Sequence, residues 1–95
     1  MLINTQEYIE HLQKELPHLT FSTIEKIDDY KNDSEIYEVV FSKEVNGRRK
    51  DFSFRMIAGY LNFSEEQFKE NFVKVANLTY KAKLKDDEEE EETED

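Results

Sequence analysis

The chain has no cysteine and no tryptophan, one proline and two glycines among its 95 residues. The absence of cysteine excludes disulfides, thiolate metal sites and cysteine nucleophiles, and fits a reducing compartment. Two glycines are too few for a glycine-rich phosphate-binding loop, since one is needed in a hairpin turn. No apolar run approaches the ~18 residues of a membrane-spanning helix, and the N-terminal residues do not show a basic stretch followed by an apolar one, so we expect neither membrane spanning nor signal-driven secretion. We therefore expect a cytoplasmic protein with one domain.

Negative charge is concentrated at the C-terminus. Residues 86–95, DDEEEEETED, contain nine acids and no base, whereas residues 1–85 contain 14 acids and 13 bases. Like charges repel, and this segment has nothing apolar to bury, so we predict a folded domain over 1–85 and a disordered acidic tail over 86–95. An extended tail carries one charge every ~3.4 Å, close to the phosphate spacing along one nucleic-acid strand.

Capping residues and apolar periodicity predict two helices and three strands. Asn4 with Glu7 is typical of a helix start, and Pro17 ends that helix. Ser64 and Gln67 form a capping box for the last helix, supported by a hydrophobic staple of Phe63 on Phe68. The apolar residues Phe21, Ile24 and Ile27 of the first strand also fit a helical spacing, and a β-bulge would reconcile the two patterns. The predicted elements are a helix over 5–16, strands over 19–27, 35–45 and 48–57, and a helix over 65–83.

Asn46-Gly47 predicts a type I′ hairpin turn, because both residues accept the positive φ that this turn requires. The turn sets one register for the flanking strands, and that register places aromatic and aliphatic residues on one face of the sheet. The opposite face then carries charge pairs, such as Glu38 with Arg55 and Glu44 with Arg49. We expect both helices to cover the apolar face. The predicted fold class is α+β, a two-layer domain with a helix, a three-stranded antiparallel meander and a helix.

The sequence shows no arrangement typical of an active site or a cofactor site. No acid and base are positioned against a buried pocket, and no Ser-His-Asp pattern is present. The only histidines, His11 and His18, are seven residues apart across a proline, without the spacing of a zinc site. We therefore expect a protein that is not an enzyme and that binds no metal, cofactor, small-molecule substrate or membrane.

In its size, its lack of cysteine and its surplus of acid, the chain resembles the small acidic DNA-mimic and host-takeover inhibitors made by bacteriophages. The resemblance is one of size and charge rather than of a motif. It implies a protein-binding module that inhibits or modulates a basic, nucleic-acid-binding host protein by occupying its nucleic-acid surface. The candidate partner-binding residues are the acids of the tail and of the domain: Asp86, Asp87, Glu88, Glu89, Glu90, Glu91, Glu92, Glu94, Asp95, Asp28, Asp29, Asp33, Glu35, Glu65, Glu66 and Glu70.

Two other functions fit the sequence. Residues 57–72 resemble the core of a helix-turn-helix, and Arg48, Arg49 and Lys50 at the hairpin could contact phosphates. The protein would then be a small nucleic-acid-binding regulator with an autoinhibitory acidic tail. In the other alternative, the protein is a structural or adaptor subunit that self-associates through its sheet. Monomer and homodimer both stay open.

Overall fold

The computed structural model describes residues 3–31, 33–58 and 64–94, with side chains as far as Lys85. Three strands form one antiparallel sheet in the order β1-β2-β3, with a helix before it and a helix after it. The elements are α1 (Thr5–Glu15), β1 (Thr20–Tyr30), β2 (Ser34–Val45), β3 (Arg48–Ala58) and α2 (Glu65–Glu94). The predicted α+β class and the helix–meander–helix order are therefore confirmed.

The β2–β3 hairpin has the predicted turn and register. Asn46 has φ 55° and Gly47 has φ 79°, as a type I′ turn requires. Phe41 lies opposite Phe52, and all the other predicted pairs are likewise formed. The two predicted ion pairs have different outcomes. Arg55 contacts Glu38 at 3.6 Å as predicted, whereas Arg49 contacts Asp51 at 3.0 Å.

β1 is longer than the sequence predicts and contains two bulges. Register shifts between Phe21 and Thr23 and between Lys26 and Asp28 confirm the expected irregularity. The predicted strand ended at residue 27, with a loop over 28–34, but β1 continues to Tyr30 and pairs it with Ser34. The acids of this segment have low intrinsic strand preference, so it is the neighbouring strand β2 that holds them in the ladder.

Both helices begin at capping residues. The Asn4 side chain accepts a hydrogen bond from the backbone N–H of Glu7 at 3.2 Å. The capping box of α2 is complete, because Ser64 N donates to Gln67 Oε1 at 2.9 Å and Gln67 N donates to Ser64 Oγ at 3.2 Å. The predicted staple includes Phe63, which lies outside the described residues.

The helices cover one face of the sheet, and the core lies between the two layers. Phe72 is fully buried, and its ring meets Tyr8 of α1 at 5.1 Å and Phe54 of β3 at 6.4 Å. Phe41 stacks on Phe52 at 4.9 Å with an interplanar angle of 5°. Each fully buried phenylalanine contributes about 1.5–3 kcal/mol by burial. Helix α1 packs against β1 and α2 against β3, and the two helices are in contact with each other.

The backbone of α2 continues to Glu94, beyond the helix end predicted at residue 83. Residues 86–94, expected to be disordered, are thus part of this helix. Glutamate is a good helix former, and no proline or glycine follows Ser64 to stop the helix. Neighbouring carboxylates repel one another, and the prediction gave more weight to this repulsion and to the lack of apolar residues in the segment. The disorder of this segment in solution stays a prediction.

Candidate functional site

The predicted site residues lie mainly at two opposite ends of the domain. One of these ends contains the turn between β1 and β2. Asp28, Asp29 and Asp33 are exposed there, and Asp33 has φ 58°. The Asp29 carboxylate contacts Lys26 Nζ at 2.8 Å. This hydrogen bond, with the attraction of the ammonium, lowers the pKa of Asp29.

Glu35 lies at the same end but is not part of the accessible acidic surface. It follows the turn in the central strand β2, opposite Asp29 on one side and Ala58 on the other. Only 5% of the residue is exposed. A carboxylate at this position cannot meet a partner as the exposed aspartates can, although the sequence grouped it with them.

The first turn of α2 lies at this end as well and carries Glu65 and Glu66. Both are exposed, and negative charge at a helix N-terminus interacts favourably with the helix dipole. Lys69, one turn later, contacts Glu7 of α1 at 2.6 Å, and this hydrogen bond raises the pKa of Lys69. These charges therefore contribute to the fold, since they stabilise the helix start and connect the two helices.

Tyr8 lies beneath these charges. Its side chain is 1% exposed, and its hydroxyl has no hydrogen-bond partner among the described residues. Burial, followed by the negative charges of Glu65 and Glu7, raises the pKa of Tyr8 to about 12. We call the exposed residues Asp28, Asp29, Asp33, Glu65 and Glu66 the acidic end of the domain.

Glu70 stands apart from the acidic end, because it faces α1. Its Oε1 lies 3.4 Å from Nε2 of His11, and Glu15 is one turn further along α1. One ligand atom from each of the three residues can be chosen so that all lie within 4.8 Å of one another. The sequence showed His11 and Glu15 at helical spacing, but nothing in it indicated that Glu70, 59 residues beyond His11, would join them.

The hairpin at the opposite end of the sheet carries basic residues. Arg48 and Arg49 are exposed and Lys50 is half-buried. Lys43 Nζ donates to the backbone oxygen of His18 at 3.1 Å. A polar groove of about 570 Å³ adjoins this end, lined by His18, Thr20, Ser22, Ser42, Lys43, Glu44 and Arg49.

Lysines near the C-terminus of α2 lie beside this hairpin, and the sequence did not predict this proximity. Lys83 Nζ donates to the backbone oxygen of Asp51 and lies 5.0 Å from the centre of the Phe52 ring. Tyr80 packs edge-on against Phe52 at 5.5 Å. Because these contacts place the end of the lysine-rich segment beside the hairpin, we define a basic end made of Lys43, Arg48, Arg49, Lys50, Lys81, Lys83 and Lys85.

The acidic tail leaves the domain from the basic end. Residues 86–94 follow Lys85 directly in α2, and Asp95 lies outside the described residues. A helix of 30 residues is about 45 Å long, so its C-terminal acids are far from Glu65 and Glu66. The predicted partner-binding acids therefore do not form one surface: the tail and the acidic end lie at opposite ends of α2.

The segment that resembles a helix-turn-helix, residues 57–72, lies only partly within the described residues. Ile57 and Ala58 belong to strand β3, and the next described residue is Ser64, the cap of α2. The residues that would form the turn, 59–63, lie outside the described part. A first helix before Ala58 is excluded, because residues 48–58 are all strand.

Comparison with known proteins adds no assignment, since the chain matches no family model, no curated protein and no solved structure. Within the described ranges, no helix combines the length and the apolar character needed to cross a membrane.

Proposed function

We propose that this protein is a non-enzymatic binding module whose acidic tail occupies the basic, nucleic-acid-binding surface of a protein partner. Bound there, the tail would act as a DNA mimic and inhibit or modulate the partner's contacts with nucleic acid. The observation that carries the proposal is the run of eight acids among residues 86–94, which continues α2 past the basic end.

The charge spacing of this segment supports the proposal. At a rise of about 1.5 Å per residue, eight carboxylates over nine helical residues give one charge per ~1.7 Å of axis. Duplex DNA carries one phosphate charge per ~1.7 Å of its own axis. A partner surface that neutralises DNA phosphates would therefore meet a similar axial charge density when the tail lies on it as a helix.

The position of the acids within the helix gives a second argument. Helix stability favours basic residues in a last turn, but the last turn of α2 contains none. Lys81, Lys83 and Lys85 lie just before the acids and would be the natural end of the helix. The acids beyond Lys85 thus work against the helix that carries them, so stability does not account for their presence.

Recognition of this kind is electrostatic. Long-range attraction between the tail and a cationic surface would speed association, and added salt would screen it. We therefore expect the affinity for a basic partner to fall steeply between ~50 and ~200 mM salt, as it does for DNA itself.

A displacement assay tests the proposal. A fluorescent DNA duplex is bound to a basic histone-type protein, and the full-length chain is added while the anisotropy of the duplex is followed. The chain should release the duplex. A variant with Glu89, Glu90, Glu91 and Glu92 replaced by glutamine should require at least ~10-fold more protein for the same release.

The matched control removes the same charge from the other end of α2 and its neighbourhood. Replacement of Asp28 and Asp29 by asparagine and of Glu65 and Glu66 by glutamine should change the release by less than ~2-fold. Equal losses in the two variants would show that net charge, and not the tail, is responsible. Failure of the full-length chain to release the duplex at low salt would contradict the proposal.

The basic end supports a second candidate function, a nucleic-acid-binding regulator inhibited by its own tail. The supporting observation is that Lys83 lies beside the hairpin, which adds the lysines of α2 to Arg48, Arg49 and Lys50. Under this alternative, the tail variant should bind a DNA duplex more tightly than the parent chain does. The first proposal expects no binding of the duplex by either form, so a gel-shift titration separates the two.

A further inference from the structure

We propose that His11, Glu15 and Glu70 form a binding site for a divalent first-row transition cation such as Zn²⁺, at the contact between α1 and α2. This site is independent of the proposed function of the tail. The carrying observation is the position of His11 Nε2, an atom shielded from solvent that has no hydrogen-bond partner among the described residues. It faces Glu70 Oε1 at 3.4 Å.

That distance fits a metal site better than a hydrogen bond. Direct hydrogen bonds between an imidazolium and a carboxylate are about 2.7–2.9 Å long. Two ligand atoms at ~2.1 Å from a tetrahedral Zn²⁺ are about 3.4 Å apart. His11 Nε2 and Glu70 Oε1 thus have the separation that the edge of a zinc tetrahedron requires.

Glu15 supplies the third ligand. It lies four residues after His11, so both side chains project from the same face of α1. The farthest separation within the chosen set of ligand atoms is at most 4.8 Å, and reaching the edge of a zinc tetrahedron requires an approach of at most about 1.4 Å. Glu15 is exposed and can change its rotamer to make this approach. A water molecule would complete the coordination.

The charge of the cluster also favours a cation. With a neutral imidazole the three groups carry two negative charges, and among the described residues no lysine or arginine forms an ion pair with Glu15 or Glu70. Lys69 is on the same helix as Glu70, but its ammonium contacts Glu7. One imidazole nitrogen with two carboxylate oxygens is a ligand set suited to Zn²⁺, and less so to Mg²⁺ or Ca²⁺, which take oxygen ligands.

The test is a calorimetric titration of the full-length chain with Zn²⁺ at neutral pH. A background of excess Mg²⁺ occupies the carboxylates of the acidic tail, which bind cations without imidazole. We expect one Zn²⁺ site per chain, and a rise in melting temperature because the ion links α1 to α2. Replacement of Zn²⁺ by Co²⁺ should give the visible absorption that is typical of Co²⁺ in a low-coordinate site.

His11→Ala should weaken Zn²⁺ binding at least ~10-fold, and Glu15→Gln, an exposed substitution that leaves the core intact, should weaken it as well. His18→Ala is the matched control, because it removes the only other histidine, and it should leave the affinity unchanged. Unchanged binding in His11→Ala, equal losses in His18→Ala, or no site in the Mg²⁺ background would overturn the proposal.

Discussion

The two ends of α2 both carry consecutive acidic residues, yet the same charge has opposite effects at the two places. Glu65 and Glu66 lie at the helix N-terminus, where negative charge interacts favourably with the dipole. Residues 86–94 lie at the C-terminus, where the dipole opposes them and each acid has acidic neighbours one turn away. The first group is explained by the fold, whereas the second is not.

The same difference separates acids that the fold accounts for from acids that it does not. Acids that stabilise a helix start need no partner to account for them. Glu65 and Glu66 also interact electrostatically with Lys69, and Glu65 does so with Tyr8. Acids that destabilise their own helix are better candidates for function, because residues that break local rules are often found at functional sites. The proposal therefore places binding on the tail.

The largest expected effect is on the free energy of unfolding, and it compares the packing of the two halves of α2. Phe72→Ala should destabilise the domain by about 3–5 kcal/mol, because it leaves a cavity beside Tyr8 and Phe54. Tyr80 is half-buried, so Tyr80→Ala should cost about 1–2 kcal/mol through its contact with Phe52. Urea unfolding measures both. Equal losses would mean that the C-terminal half is held as firmly as the N-terminal half.

The next effect is a loss of stability at alkaline pH that depends on Tyr8. Its pKa in the folded protein is about 12, above its ordinary value of 10.0. The unfolded chain therefore ionises first, so this contribution is complete below about pH 10 and is lost as the pH rises toward 12. Its size is up to about 3 kcal/mol, since each pKa unit of difference corresponds to about 1.4 kcal/mol.

Tyr8→Phe removes this sensitivity and keeps the ring contacts with Phe72. We expect its free energy of unfolding at neutral pH to equal or exceed that of the parent by up to about 1 kcal/mol, since an unpartnered buried hydroxyl is removed. Urea midpoints at about pH 9 and pH 11.5 measure the difference. A variant that loses as much stability as the parent between these pH values would contradict the assignment.

A smaller effect is expected at the cap of α2. Ser64→Ala should cost about 1 kcal/mol, because the hydroxyl no longer accepts from Gln67 N and one end of the capping box is lost. Ser64→Asp keeps an acceptor and adds favourable charge, so it should restore the stability. If both variants melt at the parent temperature, the cap does not limit the stability of this end.

The smallest expected effect is a change in stability, and its sign differs between the two ends of α2. Replacement of Glu65 and Glu66 by glutamine should lower the stability by a few tenths of a kcal/mol, whereas replacement of the same number of tail glutamates should leave it unchanged or raise it. Far-UV circular dichroism at neutral pH and near pH 3 shows whether the tail gains helix when its carboxylates are neutral. A tail that is equally helical at both pH values would contradict our prediction of disorder at neutral pH.

Most of the fold was predictable because its signals are local. Asn46-Gly47 determines a turn that only one register satisfies, and Ser64 with Gln67 marks a helix start within four residues. The end of β1 was not predictable in this way. Asp28 and Asp29 have poor strand preference, and only the ladder formed with β2 holds them in the sheet.

The candidate site was predictable only in part. The acidic tail and the basic hairpin are visible as charge runs, but their positions relative to each other are not. Lys83 beside Asp51 and Glu70 beside His11 are contacts between residues more than 30 positions apart. For Glu35 the sequence showed the charge, but it did not indicate that the residue is buried.

The sequence by itself determined the order of elements, the hairpin register and the charge of the tail, because turn chemistry, capping and electrostatic repulsion act between neighbours in the chain. Only the tertiary structure decided which charges share a surface. The packing of α2 along the sheet separates the tail from the acidic end, places the tail next to the lysines and arginines, and brings a histidine of α1 against a glutamate of α2. Such distances follow from how the layers pack, and no local pattern encodes them.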